Sequence, residues 1–303
     1  MMTHFKIDGV LIPAADVLSG KVPTRYPLGY LQVAADSRKW DGKPHVTDLF
    51  VGIRQLWLKE KFDFSVDPED AAYRIIGTNA HAKLETKAHE LDEKEISLET
   101  DEIQGRSDLF GPMMGEMAIT DYKVVGSYKV QQCLGIYSED EPILEDGKPV
   151  YFKTGARAGQ PKTHKVTKMD PKKAYIKDFT RQLNIYRVLA KKVLGIEAKR
   201  LFIFAIVRDG GTIAATQRSV TQKTYTFEIP LADDEKVWNY IKARSAAIIG
   251  SMSGDIAPPL CSNEENWDGR KCQGYCEVAG ACRAIGDNPF LKGEPIAEPE
   301  EQA

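Results

Sequence analysis

The sequence predicts an α/β fold in which a central mixed sheet is flanked by helices. Three observations lead to this prediction. Two β-type segments lie within 105–125, a strongly amphipathic helix follows at 179–194, and LFIFAIV at 201–207 has the unbroken apolar character of a strand buried on both faces. Because a strand-like segment at 224–231 and a helical one at 232–252 continue the alternation, we expect one α/β core.

Helical spacing dominates the chain before this sheet, so residues 1–70 are expected to form a mostly helical region. The segment TDLFVGIRQLWLKEK at 47–61 has apolar residues at helical intervals and begins at Thr47, a residue type that caps helices. A second helix is predicted over 68–91. The core is then expected to span 71–252.

A β-hairpin is predicted next. GRSDLF at 105–110 and EMAITDYKVV at 116–125 have strand-like patterns, and GPMMG at 111–115 between them has the composition of a turn. Residues 131–177 are polar, basic and interrupted by Gly and Pro, which is typical of a long loop or an insertion.

The bulk composition is that of a soluble globular protein. The chain has 303 residues, 42% of them hydrophobic, and a formal net charge of −3. Residues 1–13 lack the pattern of a signal peptide, and no apolar run approaches the roughly 20 residues that cross a bilayer. We therefore expect a cytoplasmic protein with no membrane partner.

Positive charge is concentrated in residues 151–200, which hold fourteen Lys and Arg residues against three acidic ones. Such a segment favours electrostatic, sequence-independent binding of nucleic acid phosphates. A solvated basic loop and helix face is the alternative interpretation. The cations that precede the predicted helix are Lys153, Arg157, Lys162, Lys165, Lys168, Lys172, Lys173 and Lys177. The aromatic residues of this segment that could stack on unpaired bases are Tyr151, Phe152 and Tyr175.

Two carboxylates and a lysine are expected to meet in the predicted hairpin. Asp108 lies in the first strand and Asp121 in the second. Lys123 follows Asp121 by two residues, so both side chains point to the same face of a strand. Carboxylate oxygens suit hard cations such as Mg²⁺, which lower the pKa of a bound water and offset charge on a phosphate. Taken alone, Asp-x-Lys is common on strands, and Asp108 could be only a turn residue.

Four short motifs occur in order along residues 70–210. They are GxxxH at 77–81, GRSD at 105–108, DYK at 121–123 and QLNIY at 182–186. With this set, the chain resembles the RecB-type branch of the PD-(D/E)XK nuclease superfamily. The resemblance implies a restriction-endonuclease-like core and a DNA nuclease that uses Mg²⁺ or Mn²⁺ to hydrolyse phosphodiester bonds.

The resemblance also implies roles for individual residues. Asp108, Asp121 and Lys123 would be the catalytic residues. His81 would bind the catalytic metal ion together with the two carboxylates and the backbone carbonyl of Tyr122.

On the substrate side, the resemblance implies that Gln182 and Tyr186 contact DNA, since they lie one helical turn apart. Without it, Tyr186 would be assigned to an apolar core stripe. Lys172, Lys173 and Arg181 are further candidates for DNA contacts. The expected activity is that of an exonuclease on single strands or duplex ends, compatible with an oligomer and with a helicase or recombination partner. A catalytically silent DNA-binding module serving such a partner is the alternative.

Four cysteines are concentrated in the segment 253–290, which precedes a predicted disordered tail at 291–303. They are Cys261, Cys272, Cys276 and Cys282. Thiolates favour Zn²⁺ or an iron–sulfur cluster. Free buried thiols, or the active centre of an unrelated metalloprotein, are the alternatives.

Some nucleases of the same branch, among them CRISPR-adaptation and helicase-associated ones, carry a 4Fe–4S cluster. In those, one cysteine precedes the core and three follow it, and Cys272, Cys276 and Cys282 are similar to the later group. Because no cysteine precedes Cys133, Cys261 would have to replace the first ligand. The resemblance implies a structural 4Fe–4S cluster, with Zn²⁺ as the alternative.

Overall fold

The computed structural model describes residues 1–90, 94–286 and 288–289. The predicted disordered tail at 291–303 lies outside them. The strands are β1 (Met2–Ile7), β2 (Val10–Pro13), β3 (Phe64–Val66), β4 (Lys94–Glu99), β5 (Gln104–Met113), β6 (Glu116–Val125), β7 (Ile136–Pro142), β8 (Leu144–Glu145), β9 (Lys148–Pro149), β10 (Thr163–Met169), β11 (Arg200–Val207) and β12 (Thr224–Glu228). The α-helices are α1 (Ala14–Leu18), α2 (Leu28–Ala35), α3 (Ile53–Lys61), α4 (Ala71–Glu90), α5 (Ser127–Cys133), α6 (Lys177–Leu194), α7 (Ile213–Gln217), α8 (Asp234–Met252), α9 (Asn263–Asn266), α10 (Arg270–Gly274) and α11 (Ala279–Ile285).

The largest sheet has five strands in the order β12-β11-β6-β5-β4. Strand β4 is antiparallel to β5, and β11 is antiparallel to β12. Strands β6 and β11 run parallel, because the N–H of Lys199 donates to the carbonyl of Met117 and the N–H of Arg208 donates to that of Val125. The predicted mixed α/β class is therefore confirmed.

The described residues form two compact units. The first comprises Met1–Ile119, Asn184–Lys199 and the part from Ala232 onward, and the second comprises Thr120–Leu183 and Arg200–Leu231. The predicted divisions follow the order of the sequence, whereas each of these units combines segments from distant parts of the chain.

Each unit has its own apolar cluster. In the first unit, a three-stranded sheet of order β2-β1-β3 packs with α1 and α2. Its buried residues are Phe5, Ile7, Ala14, Val17, Leu31, Ala34 and Ala71. In the second unit, a cluster of buried residues joins α5, β11 and α7. Its members are Val130, Val207, Ala215 and Val220.

The N-terminal region departs from the predicted helices in two respects. It contains strands β1, β2 and β3, and the helix predicted over 47–61 is interrupted. A 3₁₀ helix covers Val46–Phe50, with His45 rather than Thr47 at its N-cap, and α3 begins only after Gly52. The break occurs because the carbonyls that would continue the helix accept bonds from α8. Tyr240 donates to Leu49 O at 3.0 Å, and Arg244 donates to Val51 O at 2.8 Å.

The predicted β-hairpin is present, but its turn is shorter than the predicted 111–115. Strand β5 continues to Met113, and the turn consists of Met114 and Gly115, both with positive φ, as in a type I′ turn. Pro112, which has no N–H, is tolerated because β4 pairs with β5 only as far as Phe110.

Of the two alternatives for residues 131–177, the long loop is wrong, because the segment is an insertion that contains paired strands. Strands β7 and β10 form an antiparallel ribbon from Ile136↔Met169 to Pro142↔Thr163, and the small β8–β9 hairpin lies beyond it. We call residues 136–169 the β-arm. Its strands are polar on both faces, so they lack the alternation by which a half-buried strand is predicted.

The base of the β-arm depends on a glycine. Gly135 has a φ of +67°, and a Cβ there would lie 2.1 Å from the carbonyl oxygen of Asp170. The N–H of Asp170 in turn donates to Gly135 O at 3.0 Å, which joins the two ends of the arm. Only glycine combines this conformation with this approach.

We expect Gly135→Ala to lower the free energy of unfolding by at least about 2 kcal/mol, from the positive φ and the backbone clash together. Gly29→Ala is the matched control, because Gly29 lies in α2 with open space around its Cα and an ordinary φ. It should stabilise the chain by about 0.5–1 kcal/mol. Urea unfolding followed by circular dichroism measures both, and equal midpoints would contradict the account.

Candidate functional site

Two of the predicted metal ligands meet in the first unit. Nδ1 of His81, on α4, lies 3.2 Å from Oδ2 of Asp108, on β5. One helical turn further along α4, Glu85 lies 3.7 Å from Arg106, which is on the same face of β5 as Asp108. These two ion pairs fix the register of α4 against β5. They also leave the Asp108 carboxylate partly accessible to solvent.

Three predicted residues meet around a buried carboxylate in the second unit. Asp121 on β6 is only 2% exposed. Its Oδ2 lies 2.5 Å from Nζ of Lys123, and its Oδ1 accepts a hydrogen bond from Nε2 of Gln182 on α6 at 3.2 Å. Removing a carboxylate from water is costly unless it is paired and hydrogen-bonded. Lys123 and Gln182 supply that pairing.

Strand alternation explains this arrangement. Asp121 and Lys123 share one face of β6, whereas the Tyr122 ring packs edge-on against Phe204 of β11, with the ring centroids 6.1 Å apart. The chain beyond β6 is fixed by Asp209, which accepts from both the N–H and the hydroxyl of Ser127 at 2.6 Å. The hydrogen bond from the Ser127 hydroxyl lowers the pKa of Asp209 and keeps it ionised.

Tyr186 has a packing role in the structure. It is buried in the first unit, and a Cβ on Gly105 would lie 3.2 Å from its ring and 2.5 Å from the Val46 side chain. Gly105 therefore admits both side chains at the start of β5. This contact agrees with the alternative interpretation of Tyr186 as a core residue in the apolar stripe of α6.

The predicted DNA-contacting cations lie in different environments. Nζ of Lys173 lies 3.5 Å from the centroid of the Tyr137 ring. Lys172 is exposed in a 3₁₀ helix, where its N–H donates to the Asp170 side chain at 2.9 Å. Arg181 on α6 is half-buried. Lys172 and Lys173 thus remain accessible for an external anion.

The four clustered cysteines line the same small cavity in the first unit. Its walls include the apolar side chains of Leu58, Val278 and Ala279. Nδ2 of Asn288 lies 3.4 Å from Sγ of Cys282 and 3.8 Å from Sγ of Cys272. The structure therefore brings Cys261 together with the later three cysteines.

Cys261 is held at the N-terminus of α3. A Cβ on Gly52 would lie 2.3 Å from its sulfur, so glycine is required for the approach. The N–H of Gln55 donates to the same sulfur, as expected of an unpaired donor in the first turn of a helix. These contacts tie the cysteine segment to a helix about 200 residues earlier in the chain.

Arg54 is a cavity residue that the motif analysis did not identify. It is 3% exposed, lines the cavity, and donates Nη1 to the carbonyl of Pro258 at 2.8 Å. The sequence pattern that could have identified it is a cation on the apolar face of a helix, because Arg54 precedes Trp57 by three residues and Leu58 by four. A buried guanidinium favours an anionic occupant of the cavity.

Burial makes three thiols of the chain weaker acids than a thiol in water. It raises the pKa of Cys261 to about 11, and the charge of Glu265 acts in the same direction. Burial also raises the pKa of Cys276. Cys133, which lies in the second unit, likewise has its pKa raised to about 11 by burial. At neutral pH these groups are protonated, so metal binding must release protons.

Comparison of the chain with family models, curated proteins and solved structures finds no match. Within the part of the chain that the structure describes, no helix is long and apolar enough to cross a membrane. Among the same residues, no three His, Cys, Asp or Glu side chains are grouped closely enough to hold a metal ion as they stand.

The raised thiol pKa values predict a loss of stability at alkaline pH in the metal-free chain. The unfolded thiol ionises near 9.0, whereas buried Cys133 keeps its proton until about 11, so unfolding releases a proton in between. The contribution of Cys133 is complete below about pH 9 and is lost as the pH rises to about 11, by roughly 2–3 kcal/mol.

Urea unfolding at about pH 8 and about pH 10.5, with reductant and chelator, measures this loss. Cys133→Ala removes one titrating thiol and should reduce the difference between the two pH values. An identical pH dependence in wild type and Cys133→Ala would show that Cys133 does not titrate in this way.

Proposed function

We propose that the chain is a metal-dependent DNA nuclease with a restriction-endonuclease-like core. The observation that carries the proposal is the buried Asp121 carboxylate, held by Lys123 at 2.5 Å and by Gln182 at 3.2 Å. The sequence motifs selected all three of these residues. Lys123 is on the same strand as Asp121, and Gln182 is on a helix 59 positions beyond Lys123 in the sequence. An Asp-x-Lys pair on the surface of a strand would not require a buried carboxylate, whereas Asp121 is buried.

The donor chemistry fits a hard divalent cation. Each oxygen of an ionised carboxylate has two acceptor directions, so Asp121 can bind a cation while it keeps its bonds to Lys123 and Gln182. Within the first unit, Asp108 offers a carboxylate of the same chemistry, and His81 an imidazole of the kind that Mn²⁺ accepts. A bound Mg²⁺ or Mn²⁺ would lower the pKa of a coordinated water and offset charge on the phosphate.

The roles of the chain's own side chains follow from their placement. Lys123 neutralises Asp121 and presents an ammonium group that can hold the attacking water or a phosphate oxygen by hydrogen bonding. Gln182 fixes the orientation of the carboxylate. His81 orients Asp108 through the 3.2 Å contact. Lys172, Lys173 and Arg181 supply cationic contacts to the backbone of DNA.

The four cysteines support a second, structural metal centre, which we propose is a 4Fe–4S cluster. All four line one cavity, Arg54 supplies a buried cation, and Asn288 supplies an amide donor to two sulfurs. Four thiolates around a metal carry net negative charge, which Arg54 would offset. The proposal requires the thiols to converge on loading, as expected where metal binding is coupled to folding.

An exonuclease acting on single strands or duplex ends is the expected form of the activity. End-labelled single- and double-stranded DNA, incubated with Mg²⁺, Mn²⁺ or EDTA, tests it directly. We expect Lys123→Ala to reduce cleavage by at least about 10²-fold, because a donor to the reacting groups is lost. Lys236→Ala, at an exposed lysine on α8, should cleave like wild type.

Circular dichroism and DNA binding of Lys123→Ala separate loss of catalysis from loss of fold. If Lys123→Ala cleaves as fast as wild type, the proposed mechanism is wrong. If the wild-type chain binds DNA but cleaves none with either metal, the silent DNA-binding module replaces the nuclease.

Metal analysis of protein purified without oxygen tests the cysteine centre. We expect iron and inorganic sulfide in wild type and in Cys133→Ala, with the broad visible absorption of iron–sulfur charge transfer. Cys276→Ala should lose both, because one of four ligands is removed. Stoichiometric zinc in a colourless protein would replace the cluster with a zinc site, and metal retention in Cys276→Ala would contradict either centre.

A further inference from the structure

The end of the β-arm carries a group of cations that the nuclease proposal does not use. Strand β7 contributes Glu139, Asp140 and Glu141, whereas residues 147–169 contain no Asp or Glu. In the sequence of the arm, all the acidic residues, the last of them Glu145 and Asp146, precede all the basic ones.

The shaft of the arm, formed by β7 and β10, is electrically balanced. Nζ of Lys168 lies 3.0 Å from Glu139 and 2.6 Å from Glu141, and these bonds raise the pKa of Lys168. Lys165 is opposite Asp140 in the strand register. The shaft therefore has little charge to offer an external ligand.

The tip of the arm, which we define as residues 150–162, is different. Among the residues that the structure describes, Lys153, Arg157 and Lys162 make no ion pair with a carboxylate. Two of them lie over one ring: Arg157 is 5.4 Å, and Lys162 5.8 Å, from the centroid of Phe152. Three cations are thus gathered within one short loop, none of them in an ion pair among the described residues.

Backbone hydrogen bonds give the tip a defined shape. Phe152 donates to Gln160 O and accepts from the N–H of Gly159, both at 3.0 Å, and Lys162 donates to Val150 O at 2.7 Å. Because the loop is closed by these bonds, its side chains project from an ordered scaffold. Less conformational entropy is then lost when they bind a ligand.

An exposed aromatic ring lies beside the cations. Tyr151 is 50% exposed, and it pairs across the tip with Pro161. Cations that neutralise phosphates, combined with a ring on which a base can stack, are the features with which proteins bind unpaired strands. A duplex offers no free base face to such a ring.

We propose that the tip of the β-arm binds the phosphodiester backbone of single-stranded nucleic acid, with Tyr151 stacking on a base. This inference rests on the proposed function, since it assigns to the same protein a second contact with the strand it would cut. Lys153, Arg157 and Lys162 bind phosphates of the same strand on whose base Tyr151 stacks.

Fluorescence anisotropy in EDTA tests the proposal without cleavage. The probe is labelled oligothymidylate of about 20 nucleotides, longer than the roughly 4–16 nucleotide sites of known single-strand binding folds. The variant is Lys153→Glu/Arg157→Glu/Lys162→Glu. We expect at least about tenfold weaker binding, and a slope of log K against log salt that is smaller by about 2, from three lost phosphate contacts.

The matched control is Lys6→Glu/Lys236→Glu/Lys242→Glu, which changes net charge equally at exposed lysines of the first unit. It should keep the wild-type affinity for the oligonucleotide to within about twofold. Equal weakening in both triple variants would show that net charge alone acts, and would overturn the assignment to the tip.

Tyr151→Leu tests the stacking contact. It should weaken binding of oligothymidylate about tenfold but leave binding of an abasic strand of equal length unchanged. Unchanged oligothymidylate binding in both Tyr151→Leu and the tip triple variant would overturn the proposal. So would tip-dependent binding of anionic lipid vesicles in place of the oligonucleotide, which would make the tip a membrane contact.

The two proposals fail in different ways. Strand binding by the tip without any cleavage would contradict the proposed nuclease activity and support strand binding by the tip. Metal-dependent cleavage with unchanged affinity in the tip triple variant would support the proposed nuclease activity and contradict strand binding by the tip.

Discussion

The burial of Asp121 is the constraint on which the second unit depends. A carboxylate that is 2% exposed destabilises the fold unless cations and hydrogen-bond donors surround it. Lys123 meets this requirement through strand alternation, and Gln182 through the placement of α6. Removing Lys123 would leave a buried charge uncompensated, which costs more than the pair itself contributes, and removing Gln182 would leave a buried acceptor without its donor. The arrangement is therefore poorly explained by stability alone, which is why the proposed function assigns a metal ion to it.

Buried polar groups order the first unit in the same way. Asn184 accepts from the N–H of Ala232 at 2.8 Å, and Arg187 donates to Ala232 O at 2.6 Å. Arg187 also pairs with Asp234, whose pKa is lowered chiefly by its hydrogen bond to Lys191. These bonds attach the start of α8 to the second half of α6. Because α8 in turn binds the carbonyls before α3, the network extends to the helix that supports Cys261.

Local periodicity was sufficient to predict the hairpin, α6, β11 and α8, since each is formed by residues close in sequence. Periodicity explains only why Asp121 and Lys123 share a strand face, whereas His81 and Gln182 were selected by the motifs that carry the family resemblance. The break before α3 could not be predicted, because it is caused by hydrogen bonds from residues about 190 positions later. Nor could the β-arm, whose polar strands give no periodic signal and pair across an intervening loop.

The two candidate centres differ in the charged side chains that each contains without a metal ion. At Asp121 the resident cation is Lys123, so the divalent ion of the proposed function would make the site positive and attractive to a phosphate. In the cysteine cavity burial raises the pKa of Cys261 and Cys276, so these two thiols are protonated at neutral pH, and Arg54 is the buried charge. Loading that cavity converts thiols to thiolates, which offsets the guanidinium. Under the proposed function, the first site would therefore attract an anionic substrate, whereas the second would hold its metal in a structural role.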